Sequence, residues 1–188
     1  MKIVVLSGSN VGTKTRTAMN YVVKVLTEKY SDHDVTLLDL AELDMIFSDG
    51  RNYMEYDGDT KYIAETMMLA DAIVIGMPIF QASIPASLKN VFDLLPEAAF
   101  REKVVSIVVT AGSSKHYLIA EQQVKPILSF MKAHTVQQYV FLETKDFHRG
   151  TIVNDDVLFR LDRLVEDTMM SRKVLEAIQM EKDKVYGF

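Results

Sequence analysis

The feature that most constrains this chain is an alternation. Short β-branched runs, KIVVLS (2–7), DVTLLDL (34–40), DAIVIGM (71–77), KVVSIVVT (103–110) and VQQYVFLE (136–143), take turns with stretches of helical period. Residues 15–29 set Ala18, Val22, Val25 and Leu26 on one stripe, and 60–70 do the same with Ile63, Met67 and Ala70. Residues 86–95 carry Leu88, Val91, Phe92 and Leu95, and 117–132 carry Leu118, Val124, Leu128 and Met131, with Pro126 bending or restarting that helix. The last helix, 155–182, carries Val157, Leu161, Leu164, Val165, Val174 and Ile178. Strand followed by helix, repeated, implies right-handed βαβ units in a doubly wound α/β sheet. The first, third and fourth runs are nearly continuous apolar, as strands buried on both faces are. The second and fifth are mixed and suit edges.

The sequence shows no internal repeat or linker, so one domain over residues 1–188 is expected. The polar stretch SDGRNYMEYDGD (48–59) predicts a functional or mobile loop. With no Cys, disulfides, a thiol nucleophile and thiolate metal sites are excluded. The four His show no metal-ligand spacing with carboxylates, so no metal is expected. Net charge of −5 argues against a nucleic-acid face. The longest apolar stretch, AIVIGMPIF, is roughly nine residues, half a membrane span at most. A cytoplasmic protein with no membrane partner is the expectation.

Ligands of such sheets bind beyond the carboxyl ends of the strands. Three loops converge there. SGSNVGTKTRT (7–17) opens the first helix with Ser9, Thr13, Thr15 and Thr17 as hydroxyl donors and Lys14 and Arg16 as cations. A helix N-terminus with such neighbours suits a phosphate dianion; the competing reading is a Ser/Thr-rich helix cap. The loop is neither GxGxxG nor GxxxxGK[ST]. GMPIFQASIPASLKNVFD (76–93) turns at Pro78 and places Ile79 and Phe80 in a loop, followed by Gln81, Ala82 and Ser83. A flat heterocycle fits those residues, and so does inward or interface packing. TAGSSKH (110–116) has Gly112 among small residues, either for close backbone approach to a ligand or as a plain βα turn.

GSNVGTKTRT, PIFQASIPASLKNVFDLLP and TAGSSKHYL together resemble the NAD(P)H-dependent FMN reductases of the flavodoxin-like superfamily, over about residues 1–145. VKPILSFMKAH (124–134) resembles the fourth helix of the reductases that partner sulfonate monooxygenases. The resemblance implies a flavodoxin-like three-layer sandwich, a five-stranded parallel sheet in the order 2-1-3-4-5. It implies FMN as cofactor and NADPH or NADH as co-substrate. Ser9, Lys14, Thr15, Arg16 and Thr17 would surround the FMN phosphate. Pro78, Ile79, Phe80, Gln81, Ala82 and Ser83 would line the ring and ribityl chain, and Thr110, Gly112 and Ser113 would meet the pyrimidine edge. No side-chain acid or base is required, so no catalytic residue is assigned; a structural hydrogen bond is the reading for His116.

Implied acceptors are free flavin, a flavin-dependent monooxygenase, a quinone or an azo compound. A homodimer or homotetramer is implied through helix 86–95 and the Pro126 helix. The alternatives are a flavodoxin-like electron carrier and a flavin-binding subunit without turnover. Mild charge, no Trp and a single ring-loop aromatic, Phe80, count against the carrier. Arg51, Lys115 and Arg149 are the candidates for reading an NADPH 2′-phosphate. Where the sulfonate-linked reductases carry an aromatic beside a helical bulge that aids flavin exchange, this chain has Gln122, which implies tightly held FMN. Phe80 also replaces a frequent Tyr, and Ala111 a frequent Gly.

Overall fold

The computed structural model describes residues 1–186. In chain order the strands are β1 (Lys2–Ser7), β2 (Asp34–Asp39), β3 (Ala72–Pro78), β4 (Val104–Ala111), β5 (His134–Thr135), β6 (Val140–Glu143), β7 (Phe147–His148) and β8 (Thr151–Ile152). The helices are α1 (Lys14–Lys29), α2 (Gly58–Leu69), α3 (Ala86–Leu94), α4 (Lys125–Phe130) and α5 (Asp155–Tyr186). The main sheet is parallel, in the order β2-β1-β3-β4-β5, with β6 also on β4. This is the flavodoxin-like order. The single-domain expectation reaches Phe188; Gly187 and Phe188 lie outside the described residues.

Both faces of the sheet are covered, which is why its central strands read as unbroken apolar runs. Val4 and Leu6 of β1 face one core with Ile63, Met67, Leu88, Val91 and Leu128 from α2, α3 and α4. Ile3 and Val5 face the other, with Met19, Val22 and Leu26 of α1 and Leu161, Leu164 and Val165 of α5. At the carboxyl end β1 and β3 nearly touch. The Gly8 N–H donates to the Gly76 carbonyl at 2.7 Å, and a Cβ on Gly8 would stand 2.9 Å from that oxygen.

The fifth sheet position differs from the continuous strand 136–143 that the sequence predicts. It holds two pieces, β5 opposite Val104–Val105 and β6 opposite Val108–Ala111. Between them the chain leaves the ladder. The Tyr139 hydroxyl donates to the Tyr117 carbonyl at 2.6 Å, and Lys125 Nζ donates to Gln137 O at 2.8 Å.

The helix expected over 117–132 restarts at its proline, as the sequence predicts, and a wider turn precedes the restart. Ala120–Val124 form a π-helical turn, and α4 restarts with Pro126 in its first turn. A proline ring clashes with the carbonyl four residues back, here that of Gln122. The chain widens instead: the Lys125 N–H reaches five residues back to Ala120 O. The bulge therefore stands with Gln122 in it, where an aromatic is the expected companion of such a turn.

The polar loop 48–59 is pinned rather than loose. Asn52 caps a short turn at Tyr53–Glu55, Tyr56 is buried, and Asn90 of α3 accepts from the Ser48 N–H and donates to Ile46 O. Hydrogen bonds from Arg51 and then from the Tyr56 hydroxyl hold the Asp49 carboxyl well below the usual carboxylate range. No helix among the described residues is long and apolar enough to cross a membrane.

Candidate functional site

At the carboxyl end of β1, Ser9 Oγ donates to Val11 O (2.7 Å) and accepts from the Val11 N–H (3.3 Å). That local turn delivers the chain to α1. No side chain caps α1 at Thr13, and its first turn holds no acidic residue. The free N–H groups and positive end of the helix macrodipole therefore remain available to an anion. Lys14 Nζ stays at this end through a 2.7 Å bond to Thr144 Oγ1 in the loop after β6. Beneath it the hydroxyls of Thr15 and Thr110 share a buried 2.7 Å hydrogen bond that fixes α1 to the end of β4.

After β3 the chain follows β4 a little further, with the Ile79 N–H donating to Thr110 O at 3.1 Å. Phe80 and Ser83 then exchange both backbone hydrogen bonds, N–H to carbonyl at 3.1 and 2.9 Å. The two residues between them, Gln81 and Ala82, have φ of 49° and 56°. Two-residue turns of this kind prefer Asn-Gly; each non-glycine residue held left-handed costs about 1–2 kcal/mol. Gln123, from the π turn, braces this one. Its Oε1 accepts from Ser83 Oγ (2.7 Å) and the Ile84 N–H (3.3 Å), and its Nε2 donates to Ala82 O (3.4 Å).

Between these loops lies a cleft of about 370 Å³, within the usual range of small-molecule sites. Val11, Gly12, Thr13, Lys14 and Thr15 form one side, Pro78, Ile79 and Phe80 another, and Thr110 to Gly112 with Thr144 the rest. Lys14 is the one charged side chain among the described residues lining it. Gly112 has no packing reason to be glycine: a Cβ there would meet no protein atom within 4 Å. The model for the family described as NADPH-dependent FMN reductase matches residues 1–147. The chain belongs to this family.

An NAD(P)H-dependent FAD/FMN reductase of Geobacillus thermodenitrificans (strain NG80-2) is 39% identical over 165 residues, 87% of this chain and 89% of that one. The NADH-dependent FMN reductase SfnF of Pseudomonas putida is 26% identical, over 88% of this chain and 90% of its own. Among solved structures, the apo NADH:FMN oxidoreductase EmoB superposes with a TM-score of 0.74 at 24% identity, covering 90% of this chain and 89% of that one. That last likeness is one of fold.

Within this family member, Lys14, Thr15, Pro78, Ile79, Phe80, Thr110 and Gly112 come together around the cleft. Thr13 and Ala111, also noted in the sequence, line it too, and the remaining candidates are placed elsewhere. Ser9 is buried under the loop. Arg16 is turned to Asp39, which it touches through Nε, and to Glu42 at 3.1 Å. Thr17 Oγ1 donates to Gly150 O at 3.3 Å. Gln81, Ala82 and Ser83 build the turn behind Phe80, and neither Ser113 nor His116 lines the cleft. Thr110 reaches the cleft, but its hydroxyl is engaged by Thr15. Arg51 is engaged by Asp49. Sequence reasoning passed over Val11, Gly12 and Thr144. The one signal for Thr144 is its place just past the last strand of the main sheet, where ligand-binding loops of such folds begin. A larger groove of about 640 Å³ lies between β5 and α5. Its walls are a helix side and an edge strand rather than the converging loop ends of a doubly wound site.

Proposed function

We propose that this protein is an NAD(P)H-dependent FMN reductase working at the cleft described above, with residues 1–188 forming one domain. The observation that carries the reading is the uncapped α1 N-terminus with Lys14 beside it, opening onto a cleft whose opposite wall is apolar. That pairing of an anion site with a flat-sided apolar slot fits a phosphorylated heterocycle, and Gly112 leaves room where a Cβ would intrude. When bound, FMN supplies a hydride acceptor: NAD(P)H gives up two electrons and a hydrogen, leaving as NAD(P)+, and a solvent proton completes the reduced flavin.

This chain's residues bind and orient. The first-turn N–H groups of α1 and Lys14 hold the phosphate, while Ser9, Thr15 and Thr17 set the shape of the loop that presents them. Arg16 adds little to the phosphate site, because Asp39 and Glu42 already neutralise its charge. Ile79 and Phe80 pack against the ring, with Phe80 still 40% exposed and open to a stacking partner. The Gly112 N–H would meet the pyrimidine edge, where it would stabilise developing negative charge, with Ser113 shaping the loop behind it.

The likeness to SfnF and the reductase relatives supports small-molecule substrates and a flavin-dependent monooxygenase as acceptor of the reduced flavin. For self-association, α3 and α4 offer a shared face. Phe92, Leu95, Pro96, Ile127 and Phe130 line a shallow groove of about 480 Å³, and a homodimer or homotetramer through it is our reading.

The test is a visible spectrum of the protein with FMN, recorded before and after anaerobic addition of NADPH or NADH. Flavin bands that shift on binding and bleach without any added reductase are the expected result. FMN that stays unbound, or stays oxidised with both nucleotides, overturns the reading.

A further inference from the structure

We propose that Gln123 is a positioning residue for the flavin-facing wall: it clamps the left-handed turn at Gln81 and Ala82, so the π-helical turn sets where Phe80 stands. This rests on the FMN-reductase reading of the cleft. The turn is built from two residues poorly suited to it, with φ of 49° and 56° and no glycine. Such backbone persists when the surroundings over-determine it. Apart from the Phe80–Ser83 exchange, the bonds that hold it come from Gln123, which meets Ala82 O, Ser83 Oγ and the Ile84 N–H, three successive residues.

The reach of Gln123 comes from the bulge. The wide turn at Ala120–Val124 is forced just ahead of Pro126, and Gln123 lies inside it. Phe80 shares its backbone pairing with Ser83, so releasing Ser83 frees Phe80 as well. The chain thereby links the helix after β4 to the loop after β3, whose Pro78, Ile79 and Phe80 line the cleft.

The experiment is a two-by-two cycle of Gln123→Ala and Ala82→Gly, with Gln123→Glu as a conservative control. Glycine accepts positive φ without strain, so Ala82→Gly should make the clamp dispensable. Hydrogen exchange at the Phe80 and Ser83 amides is followed in the protein without flavin, and FMN affinity by fluorescence quenching. Gln123→Ala is expected to speed exchange at both amides at least tenfold and weaken FMN about tenfold. In the Ala82→Gly background both effects should shrink to under about threefold. Gln123→Glu, which keeps the acceptor for Ser83 and Ile84 but loses the donor to Ala82 O, should fall between the parent and Gln123→Ala. Equal penalties in both backgrounds overturn the proposal, as does faster exchange with unchanged FMN affinity. If the double variant does not fold, exchange and affinity in Gln123→Glu decide alone, and loss there matching Gln123→Ala overturns it. A parent protein that takes up no FMN ends the function reading and the wall's role with it, while the exchange arm still tests the clamp.

Discussion

The two ends of the sheet treat their polar groups differently. At the amino end, Lys103 Nζ donates at 2.7 Å to the carbonyls of both Met68 and Ala70, closing the C-terminus of α2. Asp71 there accepts from the Lys2 N–H at 2.7 Å and faces Arg172 at 3.7 Å. At the carboxyl end, the N-terminus of α1 has no side-chain cap and opens on the cleft. Of these two helix termini, side chains close only that of α2. Polar groups left without partners beside an apolar hollow are costly unless a ligand or water meets them. The contrast shows how a fold marks its binding edge: by what it declines to close.

The sharpest way to break that contrast uses two glycines of the same edge. Gly8→Ala pushes a Cβ against the Gly76 carbonyl and is expected to cost about 2 kcal/mol of stability, read as a lower urea midpoint. Gly112→Ala should leave the midpoint within about 0.5 kcal/mol while weakening FMN several-fold in a quenching titration. Equal stability losses would erase the distinction between a glycine required by packing and one required by the cleft. Next in size is Lys14→Ala, expected to weaken FMN about tenfold, or 1.4 kcal/mol, with little change in thermal midpoint. Undiminished affinity in that titration removes Lys14 from the phosphate site.

The amino end has its own test. Burial holds Lys103 below the ordinary lysine range, with Asp71 pulling the other way. Folded Lys103 thus loses its proton at lower pH than an unfolded lysine near about 10.4. Between those two pH values the unfolded chain binds more protons, so this group's contribution to stability rises with pH. Burial raises Tyr21 and Tyr139, which lowers stability over the alkaline range. That loss is common to both proteins, so the difference between wild type and Lys103→Met isolates the lysine. The difference should move in favour of wild type as pH climbs, and a flat difference in urea midpoints sinks the assignment. The smallest effects are expected from Arg16→Gln and His116→Ala: FMN affinity and hydride transfer within about twofold, the first side chain being engaged elsewhere and the second lying outside the cleft. A larger loss in stopped-flow reduction would extend the site beyond its present walls.

The parallel sheet was legible because each central strand is apolar on both faces, and the helical stripes of α1, α2 and α3 repeat at the right period. The three site loops were legible because they follow strands and carry residues that are odd for ordinary turns. What was not legible depends on partners distant in sequence. The break in the fifth strand is settled by Tyr139 reaching Tyr117 and by Lys125 reaching Gln137. Arg16 reads as a phosphate cation until Asp39, at the end of the neighbouring strand, is placed beside it. Gln123 carries no sequence signal at all, since its role exists only once the helix widens ahead of Pro126.

The engagement of Arg16 bears on how fast the cleft fills. With that charge neutralised, Lys14 and the helix end act over short range, while the whole chain carries a net −5. Flavin and nicotinamide nucleotides are anions and approach against that field. The net charge opposes encounter at long range, and added salt screens that repulsion beyond about 10 Å. Capture of the nucleotide is therefore expected to speed up with ionic strength even as salt loosens the grip of Lys14 once it is bound, which stopped-flow binding at two salt concentrations would show.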